Sequence, residues 1–357
     1  MPSSMTWIES GHPVPDARSV DAGRRALASA QTLAPGHGLL VLLSGGASSL
    51  MALPAAGITL EDKQSATRQL LGTGADIHEL NAVRKHLSAV KGGQLAAAAS
   101  GPVLALAISD VVGDDLSVIG SGPTVADPST FADALDVVGR FGGAEAFPPA
   151  VVARLRAGAR GELDETPKPG DARLERSVTR IIGSRRDAAA GAAAAARSLG
   201  YRTVVIDQPV VRLARDAGSR FVDDAVSLIG PGDDPACVIA TGETTVRVVG
   251  SGRGGRNQEV ALAAARTLAA LPMAAALLSG GTDGVDGPTD AAGAIADGMT
   301  LSRAERAGLG SPEAHLDDND AYRFFAALDD LVITGPSDTN VGDIQILLIA
   351  PRGGSAG

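Results

Sequence analysis

The residues best placed to do chemistry in this chain sit on one glycine-rich stretch, Gly250-Ser251-Gly252-Arg253-Gly254-Gly255-Arg256, with Glu243 shortly before it. Glycine lets backbone N–H groups come close to an anion, and a helix that starts there adds the partial positive charge of its N-terminus. Arg253 and Arg256 carry planar forks that match phosphate or carboxylate. The β-branched run Thr244 to Val249 reads as a strand leading into this turn, and the Ala/Leu-rich run from Val260 to Ala270 as a helix leaving it. The string also fits the dinucleotide pattern G-x-G-x-x-G. It lacks that pattern's ribose-binding acid about twenty residues on, since the first carboxylate after Glu259 is Asp283.

Other stretches add oxygen-binding groups. Leu39 to Leu43 runs into Ser44-Gly45-Gly46-Ala47-Ser48-Ser49, and Ala274 to Leu278 into Ser279-Gly280-Gly281-Thr282-Asp283-Gly284. Each reads as a buried strand delivering a Ser-Gly-Gly turn, the arrangement at strand ends where ligands collect in open parallel sheets. Asn81 to Gly93 gathers Arg84, Lys85 and Lys91, with Arg84, Ser88 and Lys91 close to one helical face; a solvated basic face is the plain alternative. Asp110, Asp114 and Asp115 follow a short apolar run. They could ligate Mg²⁺ or accept a hydroxyl proton, although turn capping is the simpler role for Asp115. Ser121-Gly122-Pro123-Thr124 reads as a turn with hydroxyls and free amides. Residues 282–290 lack the spacing and final glutamate of a calcium loop.

These groups need a scaffold, and 357 residues suffice for two domains or one large one. Strand-like runs (39–43, 103–108, 178–182, 203–206, 237–240, 344–349) alternate with helical ones. Among the latter, 59–71 opens with Thr59 and Asp62 spaced as a capping pair, and 187–199 is rich in alanine. The pattern predicts an α/β fold of two α/β domains with largely parallel, Rossmann-like sheets and an active site in the cleft between them. The Pro/Gly/acid-rich stretch 147–177 reads as a linker, giving domains over 1–170 and 171–357. The net charge of −10 argues against nucleic acid as a partner. A single cysteine, Cys237, excludes an intrachain disulfide, and no run of apolar residues is long enough to span a bilayer. A soluble, cytoplasmic protein without membrane partners is expected, with a homo-oligomer left open.

Taken together these motifs resemble the class II glycerate 2-kinase family, whose C-terminal part is the MOFRL domain. The matching strings include Leu43 to Ser49, Glu79 to Ser88, Lys91-Gly92-Gly93, Ser109 to Asp115, Ser121 to Thr124, Gly242 to Val246, Gly252 to Glu259, Thr282 to Gly287 and Thr339-Asn340-Val341. The likeness runs from about His12 to Ile349, with the MOFRL region over about 236–349. It implies phosphorylation of D-glycerate at its 2-hydroxyl, with ATP and Mg²⁺ as cofactors and 2-phosphoglycerate as product. It also implies catalytic roles for Arg256 and Glu243; beside them Asp110 or Asp114 would ligate Mg²⁺ or take the hydroxyl proton, and Asn340 is a positioning candidate. Phosphate or glycerate is then expected at Ser44, Gly45, Gly46, Ser48, Ser49, Arg84, Lys85, Lys91, Gly252, Arg253, Gly254, Gly255 and Asp283. Family members usually carry a further strand and a lysine-bearing glycine turn ahead of the His12 stretch, and only eleven residues precede His12 here. On that comparison the chain is expected to fold but to turn over glycerate poorly. The alternatives are a hydroxypyruvate reductase-type oxidoreductase and a non-catalytic sugar-acid or phosphosugar binding module.

Overall fold

The computed structural model describes residues 5–229 and 234–350. The chain divides into two compact units, Met1–Ile182 and Gly183–Gly357. In the first, α1 (Ala17–Gln31), β1 (Leu39–Leu43), α2 (Ala47–Leu50), α3 (Leu60–Gly72), α4 (Ile77–His86), α5 (Gln94–Ala97), β2 (Val103–Ile108), α6 (Phe131–Arg140) and α7 (Pro149–Ala159) lead to β3 (Ser177–Gly183). Local chemistry sets the helix starts. Asp16 with Ser19, Thr59 with Asp62, Asp76 with Glu79 and Thr130 with Asp133 form capping boxes that satisfy the first free amides of α1, α3, α4 and α6.

The three strands lie in the order β1-β2-β3, with β1 and β2 parallel from Leu39↔Val103 to Leu43↔Ala107. Beside them, α3, α4, α6 and α7 close over Leu70, Leu80, Val83, Phe131, Val151 and Leu155. The stretch expected to be a linker belongs to this unit. Within it α7 buries Val151, Val152 and Leu155. Further on, Glu165 accepts from the Phe131 amide at 2.9 Å and meets His86 Nε2 at 3.1 Å, and the Thr166 hydroxyl donates to Asp127 at 2.9 Å. The units therefore part after Ile182, beyond the expected boundary at 170, because β3 completes the first sheet. Composition alone misled here: polar residues pinned by ion pairs look like a linker when read locally.

The second unit contains α8 (Arg185–Ser198), β4 (Arg202–Val205), α9 (Ala214–Ile229), β5 (Ala236–Gly242), α10 (Arg256–Ala270), β6 (Ala274–Gly281), β7 (Gly293–Asp297), α11 (Thr300–Arg306), α12 (Pro312–Asp317), α13 (Ala321–Leu328), β8 (Leu331–Val332) and β9 (Asp343–Ala350). Its sheet runs β4-β5-β9-β6-β7-β8. Only β4 and β5 pair in parallel, so the expectation of largely parallel sheets is corrected for this unit. The α10 crossover does make β5 and β6 point the same way. The last strand then enters between them and runs antiparallel to both.

Buried on both faces, β5 alternates its contacts. Cys237 and Ile239 meet the alanines of α8 (Ala189, Ala193 and Ala196), while Val238 and Ala240 join Val260, Leu268, Leu277, Phe324 and Leu347 on the other face. The run Thr244–Val249 is not a strand. It makes one isolated bridge, Leu213↔Thr245, and leaves Val248 and Val249 exposed, because β-branched residues need a neighbouring strand to pack against. Among the described residues no helix is long and apolar enough to cross a membrane.

Helices α9 and α10 touch closely at Gly218, where an added Cβ would stand 2.1 Å from the Val260 carbonyl oxygen. Gly218→Ala must push the two helices apart and is expected to cost about 1–3 kcal/mol, read as a lower urea midpoint at unchanged slope.

Candidate active site

In the second unit, strand register builds the site. Asp343, the first residue of β9, lies opposite Gly242 at the end of β5 and Gly281 at the end of β6. Arg256, the first residue of α10, reaches this level. Its Nη1 donates to Glu243 Oε1 at 2.8 Å and its Nη2 to Asp343 Oδ1 at 3.0 Å, and Nε stands 2.7 Å from Asp343 Oδ2. Burial pushes the Asp343 carboxyl up, opposed by the Arg256 charge beside it. Burial also works against the Arg256 charge, but Asp343 and Glu243 outweigh it and hold the guanidinium firmly protonated. A guanidinium has five N–H donors. Three face the two carboxylates, which leaves one on each terminal nitrogen for a ligand.

The glycine-rich turn does not cradle a ligand as its sequence suggests. The amides of Val249 and Gly250 donate to Asn319 Oδ1, those of Ser251 and Arg253 to Asp318 and Asp320, and that of Gly252 to the Asp318 carbonyl. A Cβ at Gly250, Gly252 or Gly255 would stand 2.3–2.4 Å from Asp318, Asp320 or Asp286 atoms. The glycines are needed, but for close approach to the chain's own aspartates. Gly254 likewise lies against Asn319 and Ala321. The start of α10 is filled in the same way, with the Asn257 and Gln258 amides donating to the Asp286 carboxylate at 3.1 and 2.9 Å. Arg253 stays available: it stacks 4.4 Å over the Tyr322 ring and donates from Nε to the Pro288 carbonyl.

Other expected residues are placed as follows. Ser279-Gly280-Gly281 is not a turn but the end of β6, where the Ser279 hydroxyl donates to Asn257 at 2.6 Å. Asp283 caps its own turn through the Val285 amide, and Asn340 accepts from the Gly342 amide. Asp343 and Asp286, both buried, were not singled out by sequence. The acid of the final strand's first residue could have been noticed, whereas the role of Asp286 depends on a contact remote in sequence.

In the first unit the Ser44–Ser49 turn is real. Gly46 has φ +80°, and its bonds run from Ala47 to Ser44 and from Ser49 and Leu50 to Gly46, so the turn itself does not use the Gly45 and Gly46 amides. Lys91 is buried against it and donates to the Ser48 carbonyl at 2.7 Å and to the Ser48 hydroxyl at 3.3 Å. The chain continues from Ser48 to Ser121 at 2.9 Å and from Ser121 to Asn81 Oδ1 at 2.8 Å. Ser121 holds φ 62°, a strained backbone for a residue with a side chain, and the Ser121 and Gly122 amides are bonded to the Val118 and Ile119 carbonyls. His12, also missed, stands about as close to Gly46 as a side chain there would allow.

Lys85, an expected phosphate ligand, is taken up within the fold. It is buried and donates to Asp127 at 3.1 Å. Burial opposes ionisation of Asp127, but Lys85, Ser129 and His86 outweigh it and hold the carboxyl below its ordinary value. Past β2, Asp115 caps the next turn through the Ser117 amide, and Asp114 keeps a buried Oδ1 with no partner among the described residues. No group of three metal-ligating side chains gathers among the described residues. An orphaned carboxylate oxygen of this kind fits Mg²⁺, which uses one or two carboxylates and takes its remaining ligands from water and substrate.

Two family models match the chain, the domain of unknown function DUF4147 over residues 1–156 and the MOFRL family over 236–343. The glycerate 2-kinase of Pyrococcus horikoshii is 39% identical over 352 residues, covering 97% of this chain and 78% of its own. The D-glycerate 2-kinase of Thermotoga maritima is 42% identical over 346 residues, covering 96% and 79%. A protein of Agrobacterium vitis with a provisional hydroxypyruvate reductase name is 43% identical, covering 96% and 87%. The crystal structure of the Thermotoga maritima glycerate kinase matches with a TM-score of 0.84 at 41% identity, over 96% of this chain and 80% of that one. The chain belongs to the glycerate kinase family.

Asp286 offers a test of the second site's electrostatics. Burial raises its carboxyl from 3.8 to about 6, against the bonds from the Asn257 and Gln258 amides. Between those values the folded state keeps a proton that the unfolded chain has lost, so stability falls as pH rises through the window, by about 3 kcal/mol for this group. Asp286→Asn removes the titration. The stability of the wild type relative to this variant should drop between pH 4 and pH 7 in urea unfolding; a difference independent of pH would show that Asp286 is ionised throughout.

Proposed function

We propose that this chain phosphorylates D-glycerate at its 2-hydroxyl, with ATP as donor and Mg²⁺ as cofactor, giving 2-phosphoglycerate and ADP. The observation that carries the reading is Arg256, fixed by Glu243 and Asp343 at the strand ends, in a chain whose relatives bear glycerate kinase names. Phosphoryl transfer asks a protein chiefly for positioning and charge stabilisation. The two carboxylates hold the guanidinium plane, and its two uncommitted N–H groups meet the oxygens of the transferring phosphoryl group or the glycerate carboxylate. Arg253, steadied on Tyr322, presents a second fork.

In the first unit, the Ser44–Ser49 turn and Arg84 supply donors to oxyanions, and Lys91 stiffens that turn. Asp114, with Asp110 beside it in sequence, would hold Mg²⁺, which when bound neutralises phosphate charge. Asp110 alternatively takes the hydroxyl proton as the oxygen attacks phosphorus, and a Mg²⁺ titration of Asp110→Asn separates the two roles: a raised requirement marks a ligand, a lost pH limb a base. ATP as donor accords with action in the cytoplasm.

The competing oxidoreductase would need the glycine turn for a dinucleotide, and the amides of residues 249–253 already serve Asn319, Asp318 and Asp320. Hydroxypyruvate is therefore expected to leave NADH absorbance unchanged. In a coupled ADP assay, Arg256→Lys keeps the charge but not the fork, and should lower kcat/KM by about 10²-fold or more with circular dichroism unchanged. Parental turnover in that variant would remove Arg256 from the chemistry.

A further inference from the structure

Lys63, on α3, took no part in the sequence reading, yet nothing among the described residues compensates its charge. The residue is 6% exposed, and Nζ is buried with no hydrogen-bond partner among the described residues. The charges acting on it are of its own sign: Arg84 from α4 and Arg154 from α7. Lys91 belongs to the same group, since Lys63 and Arg84 both disfavour its charge, and no carboxylate acts on either lysine. Arg84 is only partly buried, so it gives the group a way to solvent, and no ion pair or hydrogen bond of its guanidinium is present among the described residues.

A second orphan lies at the end of a hydrogen-bonded chain from this group. Lys91 donates to Ser48, which donates to Ser121, which donates to Asn81 Oδ1. The Asn81 amide nitrogen that remains is buried with no acceptor among the described residues. Two buried donors, Lys63 Nζ and the Asn81 amide, are thus left without acceptors among the described residues, while the Lys91 ammonium is bonded to Ser48 and Met51. A buried ammonium and a buried amide without partners each weaken a fold. Groups that weaken a fold are tolerated where a ligand repays them, and here the ligand must bring acceptor oxygens and negative charge.

We propose that Lys63, Arg84 and the Asn81 amide line an oxyanion subsite in the first unit, taking a carboxylate or phosphoryl group. The kinase reading enters only in the choice of ligands, the acid or the nucleotide. Burial, with Arg84 and Arg154, lowers the Lys63 amine to about 7. At pH 8 the empty subsite is thus mostly neutral at Lys63, and an incoming oxyanion draws a proton onto it; below pH 7 the amine is already charged and binding takes up none.

The test is calorimetric titration of the full chain at pH 8 in two buffers of different ionisation enthalpy, with sulfate, D-glycerate and ADP as separate probes. The wild type should bind at least one of them with uptake of up to about one proton. Lys63→Met should weaken that probe about tenfold or more, abolish the uptake and raise the thermal midpoint, because it removes a buried amine without a hydrogen-bond partner while keeping the stem. Arg84→Met, on a partly exposed residue, should weaken the same probe. A loss confined to glycerate assigns the subsite to a carboxylate, one confined to ADP assigns it to phosphate, and either supports it.

Unchanged affinity in both variants overturns the subsite, as does a wild type that binds none of the probes or a Lys63→Met chain that is destabilised or unfolded. A wild type that phosphorylates glycerate while both variants bind normally sinks the subsite and leaves the kinase reading. One that holds sulfate through Lys63 but phosphorylates no glycerate does the reverse.

Discussion

The second unit depends on the grip of Arg256 on Asp343. A carboxylate with 1% of its side chain exposed cannot stay ionised alone, since burying an unpaired charge costs several kcal/mol. Arg256 compensates it and in doing so ties the start of α10 to the start of β9. That strand lies between β5 and β6, so the pair also fixes where both strand ends sit. Glu243, one residue past β5, completes the arrangement from the exposed side. Breaking the pair from either partner would strand a charge in the sheet, which makes the site and the order of its strands one problem.

The two units handle charge in opposite ways. The second meets its donors with its own acids and one amide: Asp286 at the start of α10, Asp318, Asp320 and the Asn319 side-chain carbonyl along the glycine turn, Asp343 and Glu243 on Arg256. What it leaves over at Arg256 and Arg253 is two N–H groups of the first and the end of the second; away from them, Arg185 Nε and the Thr244 hydroxyl are buried without partners among the described residues. The first unit pairs Lys85 with Asp127 and His86 with Glu165, and those pairs hold the 160–176 stretch in place. Lys63, Arg84 and Lys91 meet no acid among the described residues. Structural pairing and a standing surplus of cations thus come from neighbouring residues of one helix, Arg84 and Lys85, which point to different surroundings.

What could be read in the sequence was local. The Thr59 and Asp62 box is where the spacing put it, and the strands at 39–43 and 103–108 have the expected bounds, because a cap or an apolar run is decided within a few residues. The misreadings share a cause. Thr244–Val249 has strand propensity but pairs with a neighbour only at Thr245, and the parallel sheet expected from strand–helix alternation is interrupted by a strand running antiparallel between β5 and β6. Lys85 looked like a phosphate ligand because Asp127, 42 residues away, cannot be paired with it by spacing. Of the candidate site, Arg256 was marked by type and position and Glu243 by the family resemblance; Asp343, Asp286 and Lys63 were not marked, since their significance lies in burial.

The glycine turn shows why residue type alone underdetermines function. A stretch of small residues between a strand and a helix frees amides, and freed amides take whichever anion is nearest. In a nucleotide-binding turn that anion is a phosphate. Here the chain supplies aspartates and an asparagine from 286 and 318–320, at a separation where an added methyl group would collide with them. The same composition therefore builds a rigid internal joint. Its rigidity still serves the site, because Arg253 and Arg256 leave this joint in fixed directions, one onto an aromatic ring and one between two carboxylates. An arginine held in this way loses little freedom when it meets an oxyanion, and preorganisation of that kind is what electrostatic catalysis of phosphoryl transfer requires.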